Sequence, residues 1–372
     1  MKLTIERATL LKALAHVQSV VERRNTIPIL ANVLLDGQEG SLTLTATDMD
    51  LAITETVPAE IGQAGATTAP AHTLYDIVRK LPDGAQVEIE TDASADQLLI
   101  RAGRSKFNLA TLPVEDFPTM SGGDLPNTFS LEAEDLRTLV DRTRFAVSTE
   151  ETRYYLNGIY LHAAEDEGAN MLRAVATDGH RLARVQLAMP DGGEGMPGVI
   201  VPRKAIVELR KLIDETFDPV EISLSDTRIQ MTFDDAILTS KLIDGTFPDY
   251  ERVIPTGNDK VLSVDRNTFA QAVDRVSTIS SEKSRAIKLA VGSGLLTLSA
   301  TSAENGSATE ELEVSFEHDL IEIGFNSRYL LDITAQIESD GAEFVFADAS
   351  SPTIVRDGGD LSALYVLMPM RV

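Results

Sequence analysis

The chain has 372 residues, a net charge of −25 and no cysteine or tryptophan, which excludes disulfides, thiol nucleophiles and cysteine-held zinc. Its total charge also argues against a general grip on phosphates, although a total averages over the surface and leaves room for a local basic lining. The length exceeds one typical domain, and 43% hydrophobic content can fill more than one core.

The first third opens with LTIERATLLKALAHVQSVV, a strand running into a helix whose Leu10, Leu14, Val17 and Val21 form one apolar stripe. LTLTATD (42 to 48) alternates as a half-buried strand does, APAHTLYDIVRKL (69 to 81) enters a second helix, and VEIE is a further strand. In KFNLATL (106 to 112) Phe107 and Leu109 alternate as on an exposed sheet edge, and SGGDLPN (121 to 127) reads as a linker. The middle third repeats the order: FSLEAEDLRTLVDRTRFAV with Leu136, Leu139 and Val140 on one face, then LRAVATD (172 to 178), VPRKAIVELRKLI (201 to 213) and VEISL, closed by the linker IPTGNDK (254 to 260). The last third repeats it again, with LSVDRNTFAQAVDRVSTI (Phe269, Val273 and Val276 aligned), LTLSATS (296 to 302), FNSRYLLDITAQI (325 to 337) and EFVFA. Each third carries a late proline, at 118, 248 and 369. Such recurrence predicts an α+β chain of three similar domains, 1–123, 124–255 and 256–372, each made of two helix-plus-sheet units.

RAVATDGHRLAR (173 to 184) places Asp178, His180 and Arg181 together, as a catalytic loop would. The repeat favours another reading, because Asp178 has a counterpart in Asp48, which is followed by Met49 and Asp50 rather than His and Arg. A carboxylate that recurs without its supposed catalytic neighbours is a turn former accepting nearby N–H groups. General acid–base work needs a positioned partner as well, so His180 is expected on a binding surface or in a structural bond. The five histidines, at 16, 72, 162, 180 and 318, show no HxxxH or HExxH spacing, and no metal site is expected. No stretch reaches the roughly 18 apolar residues of a membrane span, and MKLTIERATL lacks a signal-peptide core, so the expected location is cytoplasmic.

The six helical windows, 6–24, 72–81, 132–146, 203–215, 265–288 and 327–338, together carry a slight positive charge, while the remainder carries the whole acidic excess. Helices gathered on one side would make that side mildly basic. Six similar units also suit a head-to-tail pair of chains, which closes if each domain turns the path by about 60°. The edge strand with Phe107 and Leu109 and the helix end at Thr278 and Ile279 are the candidate seam.

TIPILANVLL (26 to 35), RYYLNG (153 to 158), ATDGHRLA (176 to 183), VPRK (201 to 204), SKLIDGTFPDY (240 to 250), EIGFN (322 to 326) and YVLMPMR (365 to 371) together resemble the bacterial DNA polymerase sliding clamps, the beta subunits of the replicative polymerase, over essentially the whole chain. The resemblance implies a homodimeric ring of clamp-fold domains with helices lining the hole, encircling double-stranded DNA without reading its sequence, with no catalytic residue, no cofactor and no metal. It implies weak phosphate contacts from Arg24, Arg137, Arg153, Lys204 and Lys241, with Tyr154 and Tyr155 beside the DNA. His72 and Thr73 stand where relatives often carry basic residues, and Glu150 and Glu151 precede the tyrosines. The partners implied are the polymerase catalytic subunit, the clamp loader, other polymerases and repair proteins. Each inserts a short linear peptide into an apolar pocket formed by Leu156, Thr177, Gly179, His180, Arg181, Leu182, Pro248, Arg252, Val253, Val366, Met368, Pro369, Met370 and Arg371. Flexible methionines suit several partners, and Gly179 is expected to admit a partner's backbone closely. Ser351 and Pro352 occupy the segment where relatives place a lining serine, and Val372 replaces a more usual leucine.

Overall fold

The amphipathic windows form helices α1 (Arg7–Val17), α2 (Ala71–Lys80), α3 (Ala133–Arg144), α4 (Arg203–Asp214), α5 (Arg266–Ser277) and α6 (Ser327–Thr334) in a computed structural model that describes residues 1–92, 96–120, 123–280 and 285–371. Several start on a side-chain cap that satisfies an orphan N–H. Glu6 accepts from the Thr9 N–H at 3.1 Å, Asp265 from Thr268 at 2.7 Å and Asn326 from Arg328 at 3.0 Å. At α2 and α4 a proline, Pro70 or Pro202, holds the strand-to-helix corner with its fixed φ.

Two helices stop earlier than their sequence windows, and for one reason. After Val17 the chain tightens into turns (Ser19 N to His16 O, Val20 N to Val17 O), while the Ser19 hydroxyl donates to the His16 carbonyl at 2.6 Å. After Ser277 the same occurs: Thr278 N bonds Arg275 O, and the hydroxyls of Ser277 and Thr278 both donate to Asp274 O. Hydroxyl side chains that compete for the last carbonyls end a helix. Arg23, Arg24 and Lys288 therefore lie off the helices, but so do Glu22, Glu132, Glu215 and Glu338, and the helices stay net basic.

The strands build four antiparallel sheets distributed over two units. The first unit comprises Met1–Arg137, Pro190–Pro197 and Val201–Leu242. It holds a five-stranded sheet in the order Glu60–Gln63, Lys2–Glu6, Gln86–Asp92, Gln97–Ala102, Ser105–Ala110. It also holds an eight-stranded sheet in the order Asn127–Leu131, Val220–Leu224, Arg228–Thr232, Ala236–Lys241, Leu51–Pro58, Ser41–Thr47, Asn32–Gln38, Gly65–Pro70. The second unit, Thr138–Met189, Gly198–Ile200 and Ile243–Val372, has a matching pair. Its eight-stranded sheet runs Val199–Pro202, Gly158–Asp166, Ala169–Thr177, Arg181–Ala188, Ala363–Leu367, Thr353–Asp357, Gly341–Phe346, Lys260–Asp265, and its four-stranded sheet runs Gly306–Glu313, Leu295–Ser302, Ala286–Gly292, Ile321–Asn326.

Sheets thus cross the boundaries between thirds. Leu51–Pro58 pairs with Ala236–Lys241 (Ile53 opposite Leu238), and Arg181–Ala188 pairs with Ala363–Leu367 (Leu182 opposite Val366). Of the three repeating strands, Ser41–Thr47 and Leu295–Ser302 bury alternate residues against helices, while Ala169–Thr177 is buried continuously from Leu172 to Thr177. In the first unit α1 packs on α2, α4 and the strand Leu51–Pro58, enclosing Leu10, Leu14, Leu44, Ile53 and Leu74. In the second, α5 packs on α6 and on Leu295–Ser302, and Phe269 meets Phe344 with ring centroids 5.0 Å apart. Each such leucine or phenylalanine removed from water contributes about 1.5–3 kcal/mol. Among the described residues no helix is long and apolar enough to cross a membrane.

Candidate functional site

The loop that follows Ala169–Thr177 is a closed turn. Thr177 Oγ1 donates to Arg181 O (2.7 Å) and accepts from the Gly179 N–H (3.1 Å), while Asp178 Oδ1 accepts from the N–H groups of His180 (2.9 Å) and Arg181 (3.0 Å). The first third builds the same turn: Thr47 Oγ1 bonds Leu51 O and Met49 N, and Asp48 Oδ1 accepts from Asp50 and Leu51. Asp178 is therefore the turn former that the repeat indicated. The third turn position has positive φ in both copies, 77° at Met49 and 87° at Gly179. A Cβ at 179 would lie 2.5 Å from Arg153 Nη1, the far end of a long side chain, so that guanidinium would have to shift. The space that Gly179 leaves is occupied by that guanidinium.

Strand alternation puts Arg181 and Leu182 on opposite faces. Arg181, only 8% exposed, donates to Asp332 Oδ2 (2.6 Å), Phe145 O (2.6 Å) and Asp178 Oδ2 (3.1 Å), and lies over the Tyr329 ring at 4.3 Å. Its side chain holds the turn from behind. Leu182 faces the other way. With Leu156, Val175, Ile200, Phe247, Tyr250 and Val366 it forms one apolar cluster, against which Tyr155, Tyr160, Ile243, Ile254 and Leu364 pack. Tyr160 stacks on Phe247 at 4.8 Å, and a Cβ at Gly198 would strike its hydroxyl at 2.4 Å, so that glycine shapes the cluster too.

Around this floor the remaining expected residues are arranged by backbone bonds. Met368 N donates to His180 O (2.9 Å) and Met370 N to Gly324 O (2.8 Å), so the tail runs past the turn and joins the edge strand Ile321–Asn326. Met368 is 40% and Val253 49% exposed, large fractions for such side chains beside a buried cluster. Pro248, His180, Arg252 and Arg371 are exposed, Pro369 and Met370 half-buried, and Thr177 is buried beneath the turn. Arg252 pairs with Asp249 at 2.7 Å, and the His180 ring lies 6.4 Å from that of Tyr329. Val372 lies outside the described residues. Sequence reasoning missed Val175, Ile200, Phe247, Tyr250 and Tyr160. Phe247 and Tyr250 were within reach, because the FPDY stretch that supplied Pro248 also contains them.

The expected cations are mostly occupied. Lys204 pairs with Asp48 and with Glu22 (3.3 Å). Burial alone pushes its amine down, but the two carboxylates hold it above the usual lysine value. Lys241 meets Asp50 at 2.8 Å, Arg153 meets Glu150 at 2.7 Å, and Arg137 donates to Ile213 O at 3.0 Å beside Asp214. Arg24 is exposed and has no ion pair among the described residues. His72, bonded to Gln18 Oε1 (2.8 Å) and the Val21 carbonyl (2.9 Å), anchors the segment that leads to Arg24. Tyr154 is 53% exposed, with its ring edge-on to Tyr155 at 5.8 Å. Phe107 and Leu109 share one half-buried face of Ser105–Ala110, the last strand of its sheet, while Thr278 and Ile279 follow α5 in the tightened turn.

The repeated helix-plus-sheet unit and shared sheets define a three-domain DNA clamp fold of mixed helices and strands. The N-terminal, central and C-terminal domain profiles of the DNA polymerase III beta subunit match residues 1–121, 130–249 and 251–371. The beta sliding clamp of Caulobacter vibrioides is 55% identical over 372 residues, and that of Escherichia coli K12 37% identical over 375, each covering all of both chains. Among solved structures, the Bartonella birtlesii sliding clamp bound to griselimycin superposes with a TM-score of 0.97 at 51% identity, again over both whole chains. The Caulobacter crescentus polymerase III beta structure gives 0.95 at 55% over both whole chains. The chain belongs to the DNA polymerase III beta-subunit family, the sliding clamps. Its function is that of a DNA polymerase processivity clamp.

Proposed function

We propose that two copies join head to tail into a ring around double-stranded DNA, with Phe107 and Leu109 of one chain meeting Thr278 and Ile279 of the other. Each copy contributes three domains, 1–123, 124–255 and 256–372, and the work is cytoplasmic and non-enzymatic: no bond of the DNA is made or broken. The replicative polymerase, the clamp loader and repair proteins dock in turn by short peptides over Leu156, Leu182, Val366 and the Met368–Arg371 tail.

The observation that carries this reading is the internal pairing of Lys204, Lys241, Arg137 and Arg153. A protein that holds DNA by charge needs free cations and loses affinity steeply with salt, by a slope of about −0.9 per phosphate contacted. Here most of the candidate cations are already neutralised on a chain of net charge −25, so enclosure accounts for retention better than grip does. Loading onto nicked circular DNA, followed by a high-salt wash and then linearisation, tests it. The protein stays through the wash and leaves only once the DNA has an end. Loss during the wash would reverse the conclusion.

A further inference from the structure

On the pocket face, Arg184 makes no hydrogen bond or ion pair with the described residues. Arg184 follows Leu182 by two residues on the strand Arg181–Ala188, so the two side chains stand on the same face. Its Cα partner is Val175 on one neighbouring strand and Leu364 on the other. Val175 belongs to the apolar cluster and Leu364 packs against it. That face reads in rows: Thr177, Leu182 and Val366; then Val175, Arg184 and Leu364; then Arg173 and Gln186.

The third row is satisfied. Arg173 donates to Gln186 Oε1 (2.9 Å), Glu251 Oε1 (2.7 Å) and the Tyr250 hydroxyl (3.4 Å), with Asp166 at 3.8 Å. Asp166 and Glu251, the carboxylates acting on Arg184, are both engaged there. Arg184 itself makes no hydrogen bond or ion pair with the described residues, and its Nε is buried without an acceptor. Burial first, and the like charge of Arg173 second, hold its guanidinium below the ordinary arginine value. A half-buried cation with unmet donors is costly until an acceptor arrives, and a carboxylate is the acceptor whose geometry and charge match a guanidinium.

We propose that Arg184 is a specificity-determining residue of the pocket, pairing with a carboxylate of the bound peptide one row along from the apolar side chain seated on Leu182 and Val366. This rests on the pocket reading given above. Rows on a strand are about 7 Å apart, which is also the spacing of alternate residues in an extended peptide. The carboxylate is therefore that of an acidic residue two positions from the apolar anchor, or the peptide's own C-terminus at that place.

The test uses fluorescein-labelled hexapeptides with leucine at the third and fifth positions. Glu, Gln or Ala is scanned through the other positions, with free and amidated C-termini, and anisotropy is read against the intact protein, Arg184→Leu and Arg184→Lys. At one position the Glu peptide, or the free-terminus peptide, binds the intact protein about tenfold tighter than its Gln or amidated counterpart. That preference disappears in Arg184→Leu and is partly kept in Arg184→Lys, while the Gln peptides bind all three proteins alike, which also controls for folding. Equal binding of the charged and neutral peptides to the intact protein, or a preference that survives Arg184→Leu, overturns the role of Arg184 and leaves the pocket standing. Failure of every leucine peptide to bind any of the proteins overturns the pocket reading and this one with it.

Discussion

Gly179 shows how a single residue can be fixed by two separate demands. Its φ of 87° excludes most side chains, and the Arg153 guanidinium fills the space a Cβ would need. We expect Gly179→Ala to cost about 1–3 kcal/mol in urea unfolding and to release Arg153 from Glu150, seen as a changed environment of the adjacent Tyr154 by NMR. Met49 adopts the same conformation in the first turn, so the strain of φ 87° at position 179 can be borne by a side chain at some cost. The role of Asp178 was legible from sequence, because a repeat separates what the turn needs from what is local to one copy. The role of Arg181 was not. The motif placed it beside Leu182, but strand alternation turned it toward Asp332, a partner 151 residues away that no local spacing reveals. The same alternation, applied to Leu182, would have singled out Arg184 in advance.

At the scale of elements, α1, the strand Leu51–Pro58 and the end of α4 are joined by one charged group. His16 Nδ1 lies 2.7 Å from Glu55 Oε2 and Nε2 lies 3.4 Å from Glu215 Oε1, while Lys12 meets Glu215 at 2.8 Å. Asp234 and Asp235 face the same cleft. Burial opposes the protonated imidazole, but the bond and charge of Glu55, then Glu215, hold its pKa above the usual histidine value. A raised pKa means that the ion pair stabilises fully below about 6.5, and that this contribution fades as pH rises through the folded-state value. Chemical denaturation should therefore show the gap between the protein and His16→Asn shrinking from pH about 6 to pH about 9. At the acid end the variant should lose about 3 kcal/mol, because Glu55, only 3% exposed, keeps a buried charge without its partner. A gap that widened with pH would show that the histidine works in its neutral form. The helices themselves were legible from apolar spacing. Their ends were not, since the hydroxyls of Ser19, Ser277 and Thr278 compete with the backbone by contacts that periodicity does not register. Strand pairing between thirds was equally hidden, as alternation marks a strand without naming its neighbour.

For the whole molecule, the paired cations set an expectation about salt. If Arg24 is the main free contributor among the five expected contacts, affinity for short linear duplexes should follow salt with a slope nearer −1 than the −4 to −5 that about five phosphate contacts would give. A steep slope would mean that the internal pairs open to DNA. Ile279→Asp should yield monomers by sedimentation and abolish retention on circles, and monomers that stayed on circles would contradict enclosure. The joints between thirds bear on how such a band could admit DNA. Leu51–Pro58 and Ala236–Lys241 are laced by five successive residue pairs, and Arg181–Ala188 and Ala363–Leu367 by five more. Parting either joint means unlacing a ladder in the middle of an eight-stranded sheet and stranding its amides. A contact made between separate chains has no backbone linking its two sides. Whatever prises the band apart should therefore work at the meeting of two chains and leave both of these ladders paired.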